Sequence, residues 1–283
     1  MIRVVRGALV WVTTFVLCAC TTPQEKLQAF ATSEGAVLNT IHTHLYDIQT
    51  VAPKDLPKNG PLTIYIEGDG HAWATATQPS LDPSPHRVDM IRLALSSEHP
   101  GVYLARPCQF IMNDNCQRAV WTDARFSAAV VGAIQAALNR LKIQYQAPSI
   151  ELIGYSGGAT IALLIAEGRE DIAQIQTISG NLDPQGWAHT NGLSPLQGSE
   201  NPLQNITSLS KITQRHFIGI HDQIVPGSVT AGYLSKVNPE CAQVIGLAGD
   251  HASVLNSANG QMLALPILCT SRSDQKIFGL EAL

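Results

Sequence analysis

The chain has 283 residues, of which 45% are hydrophobic and 14% charged. That supply of apolar side chains supports a full-sized core and excludes wholesale disorder. Lys and Arg number 18 against 22 Asp and Glu, a net charge of −4 with no basic run, so charge does not select nucleic acid or an anionic lipid surface as a partner.

In chain order, Arg3 and Arg6 precede an apolar stretch over 7–19, thirteen residues long. A membrane-spanning helix needs roughly 20, whereas this length suits the hydrophobic core of a secretory signal. The stretch ends in Leu17-Cys18-Ala19-Cys20. Residues 20–33 then read as a short tether, and 34–283 as one domain. Loose alternation of Val37, Ile41, Leu45 and Ile48 predicts a strand pair at a sheet edge over 36–51. After a turn-rich link, strands are predicted over 62–66, 101–105, 149–153, 172–178, 215–220 and 242–247. Helical spacing falls over 86–97, 123–141, 159–166, 228–237 and most of 253–268. Residues 180–210 are rich in Gly, Pro, Asn and Ser and read as an irregular rim, too short and polar for a large helical cap. Strands separated by helices of this length imply βαβ units, hence an α/β fold with a mostly parallel sheet.

Six cysteines occur, two of them in the leader. An even set of four in an exported chain points to disulfides. Three pairings are open, and the sequence-local one, Cys108–Cys116 with Cys241–Cys269, is favoured. A zinc site would need ligand spacing that is not present. His42 and His44 share a strand face but lack a third ligand, so no metal is expected. The Arg106-Pro107-Cys108 and Trp121 to Arg125 segments bracket the first staple and read as bracing rather than as substrate contacts. Trp73, Trp121 and Trp187 read as loop anchors, with Trp187 the one candidate for a pocket wall.

Three strand ends carry the chemistry. The strand over 149–153 runs into Gly154-Tyr155-Ser156-Gly157-Gly158 and then a helix, which is G-x-S-x-G in the setting that exposes a serine at a tight turn. The strand over 215–220 ends in His221-Asp222-Gln223-Ile224-Val225-Pro226. The last strand ends in Ala248-Gly249-Asp250-His251. The order is Ser, Asp, His, each just past a strand's C-terminal end. In these motifs the chain resembles the α/β-hydrolase superfamily over about residues 34–283. The resemblance implies a doubly covered, mostly parallel sheet. It also implies Ser156 as nucleophile, His251 as base and then acid, and Asp222 as the orienting carboxylate. Asp183, after the preceding strand, is a competitor for the acid. The oxyanion hole would use the N–H groups of Gly157 and, by position in Glu67-Gly68-Asp69-Gly70, of Asp69. Glu67 stands where relatives often have His. An acidic side chain suits an oxyanion poorly, so the Asp69 carboxylate is expected to point away; Asp69 or His71 is also placed to touch substrate. The mechanism needs no cofactor, and the implied substrate is a small ester or other acyl compound. A peptidase of the same fold, or a catalytically idle envelope-binding protein, is the alternative.

The leader's end resembles a bacterial lipobox. That implies cleavage before Cys20, lipidation of Cys20 and anchoring to a membrane. Thr21, where an Asp would favour inner-membrane retention, implies sorting toward the outer membrane.

Overall fold

A computed structural model describes residues 21–96 and 98–269. The leader and Cys20 therefore lie outside the described residues. Eight strands form one sheet: β1 (Val37–His42), β2 (Asp47–Ala52), β3 (Leu62–Ile66), β4 (Val102–Leu104), β5 (Ile150–Tyr155), β6 (Ile172–Ile178), β7 (Thr213–Gly219) and β8 (Ala242–Leu247). Their spatial order is β1-β2-β4-β3-β5-β6-β7-β8. Only β2 pairs antiparallel with its neighbours β1 and β4, and every pair from β4 through β8 is parallel.

The helices are α1 (Pro23–Ser33), α2 (Asp89–Ala94), α3 (Ala128–Tyr145), α4 (Gly157–Ala166), α5 (Pro184–Thr190), α6 (Ile206–Lys211), α7 (Gly227–Val237), α8 (Val254–Ser257) and α9 (Gly260–Ala264). Both faces of the sheet are covered, which is why β3 is buried along its whole length and reads as an unbroken apolar run. Alternation within it sorts side chains between two cores. Ile64 and Ile66 pack with Val130, Ile134 and Leu138 of α3, with all of the apolar side chains of α4, and with Tyr233 of α7. Tyr65 joins the opposite layer, with Leu27 of α1, Met90 and Ile91 of α2, Leu255 of α8 and Leu263 of α9.

Several elements differ from the sequence expectation. The segment expected as a tether holds α1. Thr22 accepts a hydrogen bond from Glu25 N–H while the Glu25 carboxylate accepts from Thr22 N–H, a capping box with Pro23 in the first turn. Leu27 and Ala31 are then buried against the sheet. The rim over 180–210 contains α5, a 3-10 turn at Pro202–Gln204 and the start of α6. Asp183 and Asn201 each cap a helical turn that begins with proline, so the polar composition that suggested a loop supplies caps instead. The helix expected over 253–268 is split. Asn259 accepts from Met262 N–H and starts α9 afresh, and Pro266 follows its end.

Arg215 on β7 is 1% exposed, one of the largest buried side chains in the sheet. Its guanidinium donates to Gln176 Oε1, Gln243 Oε1 and the carbonyls of Met262, Leu265 and Pro266, at 2.7–3.1 Å. Cys108 with Cys116, and Cys241 with Cys269, lie at disulfide distance, with Cα separations of 5.7 and 4.8 Å. Among the described residues no helix is long and apolar enough to cross a membrane.

Candidate active site

β5 ends at Tyr155, and Ser156 adopts φ 50°, ψ −119° before α4 begins at Gly157. A non-glycine residue in that region is strained, and neighbours hold it there. Ser156 N–H donates to Ile178 O at 3.0 Å, and Ser156 O accepts from Asn181 N–H at 3.0 Å. The turn closes tightly only because its flanks lack side chains. A Cβ on Gly154 would lie 2.5 Å from Gly158 O, and one on Gly158 would lie 2.3 Å from Ile66 O.

From this turn Ser156 Oγ meets His251 Nε2 at 3.0 Å, and His251 Nδ1 meets Asp222 Oδ2 at 2.7 Å. Ser156 follows β5, Asp222 follows β7 and His251 follows β8, so the ends of three parallel strands, with β6 between the first two, bring these side chains together. Asp222 Oδ1 also accepts the N–H groups of Ile224 and Val225, both at 2.9 Å. Burial alone would raise the Asp222 carboxyl, but the bonds from His251 and the Val225 N–H outweigh it and hold it below the usual carboxylate range. Tyr155, the variable residue of the serine motif, braces the histidine. Its hydroxyl donates to His251 O at 2.8 Å, and its ring lies 5.3 Å from the imidazole.

Asp183 is engaged elsewhere. It caps α5 through Gly186 N–H, accepts from Asn201 Nδ2 at 3.1 Å and pairs with Lys236 at 2.8 Å.

Opposite the histidine, the turn after β3 approaches α4. The N–H groups of Asp69 and Gly157 are taken by no acceptor among the described residues. Gly68 N–H is already bound to Glu67 Oε1 at 2.9 Å, so it is withdrawn from the substrate side. Glu67 is buried and also accepts from Tyr103 Oη at 2.9 Å. Burial pushes its carboxyl up to about 7, against the lowering effect of those two bonds.

The Asp69 carboxylate does not point away from the helix start. A Cβ on Gly157 would lie 2.0 Å from Asp69 Oδ1, so the carboxylate rests on the first turn of α4. Two buried cations explain how it stays there. Arg106 Nη1 and Arg125 Nε each approach it at 3.3 Å. The segments read from sequence as bracing thus reach the serine turn. Gln109 completes the support: its side chain accepts from Arg106 N–H at 2.9 Å and donates to Gly68 O at 3.0 Å. Cys108 and Phe110, on either side of it, both have positive φ, 68° and 64°. No sequence periodicity marks this convergence; its one clue was the pair of arginines bracketing a cysteine staple.

The serine turn opens into a cavity of about 1160 Å³, lined by Asp69, His71, Trp73, Arg125, Trp187 and His251 among others. Trp187 and the 193–197 stretch bring the rim segment into its wall. No three His, Cys, Asp or Glu side chains are grouped for a metal among the described residues; His42 bonds Asp47 instead.

No protein-family model and no curated protein matches the chain. Solved structures do. An esterase of Pyrococcus furiosus superposes with a TM-score of 0.57 at 12% identity, covering 82% of this chain and 89% of that one. A membrane phospholipase A described as a bacterial virulence factor gives 0.57 at 11% identity, over 85% and 90%. An acylaminoacyl peptidase of Pyrococcus horikoshii gives 0.53 at 13% identity, over 81% of this chain and 39% of that one. At such identities the likeness establishes the fold, an α/β-hydrolase fold with an eight-stranded, mostly parallel sheet.

Proposed function

We propose that this chain is a serine hydrolase that cleaves carboxylic esters or related acyl compounds, and that it is carried to the bacterial envelope as a lipoprotein. The observation that supports the reaction is the hydrogen-bonded series Ser156–His251–Asp222 opening into the cavity. A free serine hydroxyl is a poor nucleophile at neutral pH. In this reading His251 Nε2 takes the Ser156 proton as Oγ attacks the substrate carbonyl. Asp222 holds the ring with Nδ1 protonated and stabilises the imidazolium. The carbonyl oxygen gains charge between the N–H groups of Asp69 and Gly157, which exist before the reaction and need no reorganisation. His251 then returns its proton to the leaving alkoxide, and water, activated by the same imidazole, releases the acyl group from Ser156.

Fluorophosphonate labelling of the full-length chain in detergent tests this, because the reagent needs an assembled base and oxyanion hole. Labelling that is lost in Ser156→Ala supports the reading, and absence of label on folded protein overturns it. The lipoprotein part rests on Arg3, Arg6, the apolar 7–19 stretch and Cys20. A lipidated Cys20 carries several acyl chains, well beyond the marginal hold of one. Cys20→Ser is expected to release the protein from the membrane fraction, and a membrane-bound variant would remove this part alone.

A further inference from the structure

Arg125 is 5% exposed and lines the cavity that holds Ser156. Its guanidinium carbon lies 5.4 Å from the Phe126 ring centroid and 5.7 Å from that of Trp187, within cation–π range. Its Nε approaches Asp69 at 3.3 Å without completing a hydrogen bond, and the guanidinium makes no hydrogen bond to any described residue. Arg106 shares the unbonded Nε but differs at its terminal nitrogens, donating through Nη1 to Asp69 and through Nη2 to the Arg125 carbonyl.

Two guanidiniums thus face one carboxylate, which leaves one positive charge in excess. Because Arg106 is tied down, that excess falls on the residue open to the cavity. Of the other charged groups that line the cavity, Arg87 pairs with Asp89, while Asp123 and Glu67 are carboxylates that make no ion pair with Arg125; Asp123 accepts from the Thr122 hydroxyl, and burial raises Glu67 to about 7. A cation held in a largely apolar wall without enough acceptors is costly. A carboxylate matches the guanidinium fork and would remove that cost.

We infer that Arg125 is a specificity residue that seats an anionic group of the substrate, so that the preferred esters carry a carboxylate that reaches the oxyanion-turn side of Ser156. The inference rests on the hydrolase reading of the same site. Cation–π contacts with Trp187 and Phe126 help to hold the guanidinium in place. Asp69, held between both arginines, keeps Arg125 from folding onto the nucleophile's own hole.

The test compares pairs of esters that differ only in charge: p-nitrophenyl hydrogen glutarate against p-nitrophenyl methyl glutarate, with the succinate and adipate pairs to vary reach. In the wild-type chain kcat/KM is expected to favour the free acid by about tenfold or more in at least one pair, equivalent to about 1.4 kcal/mol. The preference should shrink as ionic strength rises. Arg125→Gln should abolish it and Arg125→Lys should keep part of it. A wild-type ratio at or below one in all three pairs overturns the inference, as does a ratio unchanged in Arg125→Gln. Should the Gln variant fail to fold, the wild-type ratios and the Lys variant decide. Enzyme that labels with fluorophosphonate and hydrolyses the methyl ester without preferring the acid removes this inference alone. Enzyme that does not label removes the hydrolase reading as well.

Discussion

At the ends of β7 and β8, Asp222 and His251 face Ser156 with their side chains. Across the serine, at the end of β3, the proposed groups are backbone N–H without acceptors among the described residues, and the side chains around them are Glu67 and Asp69. In the proposed reaction the first half depends on residue identity, because an imidazole and a carboxylate at these spacings move the proton. The second depends on backbone position, so its side chains are free to vary, provided their charge is compensated. Here compensation comes from Arg106 and Arg125, from a raised Glu67 carboxyl, and from a loop tied by Gln109 and a disulfide.

The sharpest way to break that contrast is on the identity-dependent side. Asp222→Asn is expected to lower kcat by about 10³–10⁴, since it favours the wrong imidazole tautomer. Asp183→Asn should stay within about threefold in kcat while lowering stability, having lost the Lys236 pair. The reverse order, read from single-turnover rates, would move the acid to Asp183. On the position-dependent side, Arg106→Met leaves Asp69 with half its counter-charge beside the developing oxyanion. Arg125 still faces Asp69, so a loss of about 1–3 kcal/mol of stability is expected for the lost buried hydrogen bonds, with a fall in kcat that exceeds any rise in KM. A change confined to KM would separate Arg106 from the oxyanion turn.

The two staples divide the contrast further. By loop length alone Cys241–Cys269, 28 residues apart, should contribute about 3–4 kcal/mol, and Cys108–Cys116, 8 apart, about 2–3 kcal/mol. Activity should follow the opposite order, because the shorter staple flanks Gln109 and Arg106. Alanine pairs at each staple, compared by urea midpoint and by kcat, check this; matching orders would sink it.

The last expected effect is electrostatic and confined to a pH window. Glu67 is raised to about 7 from 4.5, so the native state retains a proton that the unfolded chain releases. Its contribution is fully present below pH 4.5 and is lost as pH rises through about 7. Relative to Glu67→Gln, the wild type should lose on the order of 3 kcal/mol between those limits. Equal slopes of urea midpoint against pH in both proteins would show that Glu67 does not carry that proton.

What was legible in the sequence follows the same division. Ser156, Asp222 and His251 stand out because each sits past a predicted strand in a motif whose residue types matter. The mostly parallel sheet was implied by the alternation of strands and helices and by the resemblance those motifs carried, while its strand order came from the structure. The choice between Asp222 and Asp183 needed coordinates, since both follow strands and only the Gly186 cap and Lys236 pair show where Asp183 is engaged. The orientation expected for the Asp69 carboxylate failed for a nonlocal reason. Arg106 and Arg125 come from loops far along the chain, and no local pattern says that both turn inward. Helix α1 was missed although Thr22 and Glu25 spell a capping box, because nearness to the leader outweighed it. The break before α9 falls inside the range expected as mostly helical, 253–268, where Asn259 caps a new turn.

Arg215 has a consequence for timing. Its five donors are satisfied only when the carbonyls of Met262, Leu265 and Pro266 lie over the sheet. A chain truncated before Met262 would close β6, β7 and β8 around a cation stripped of those acceptors, and should remain open to proteases. During synthesis the same shortage should delay closure of those strands until residues 262–266 emerge. One buried arginine thereby ties the last strands of the sheet to the chain's final described segment.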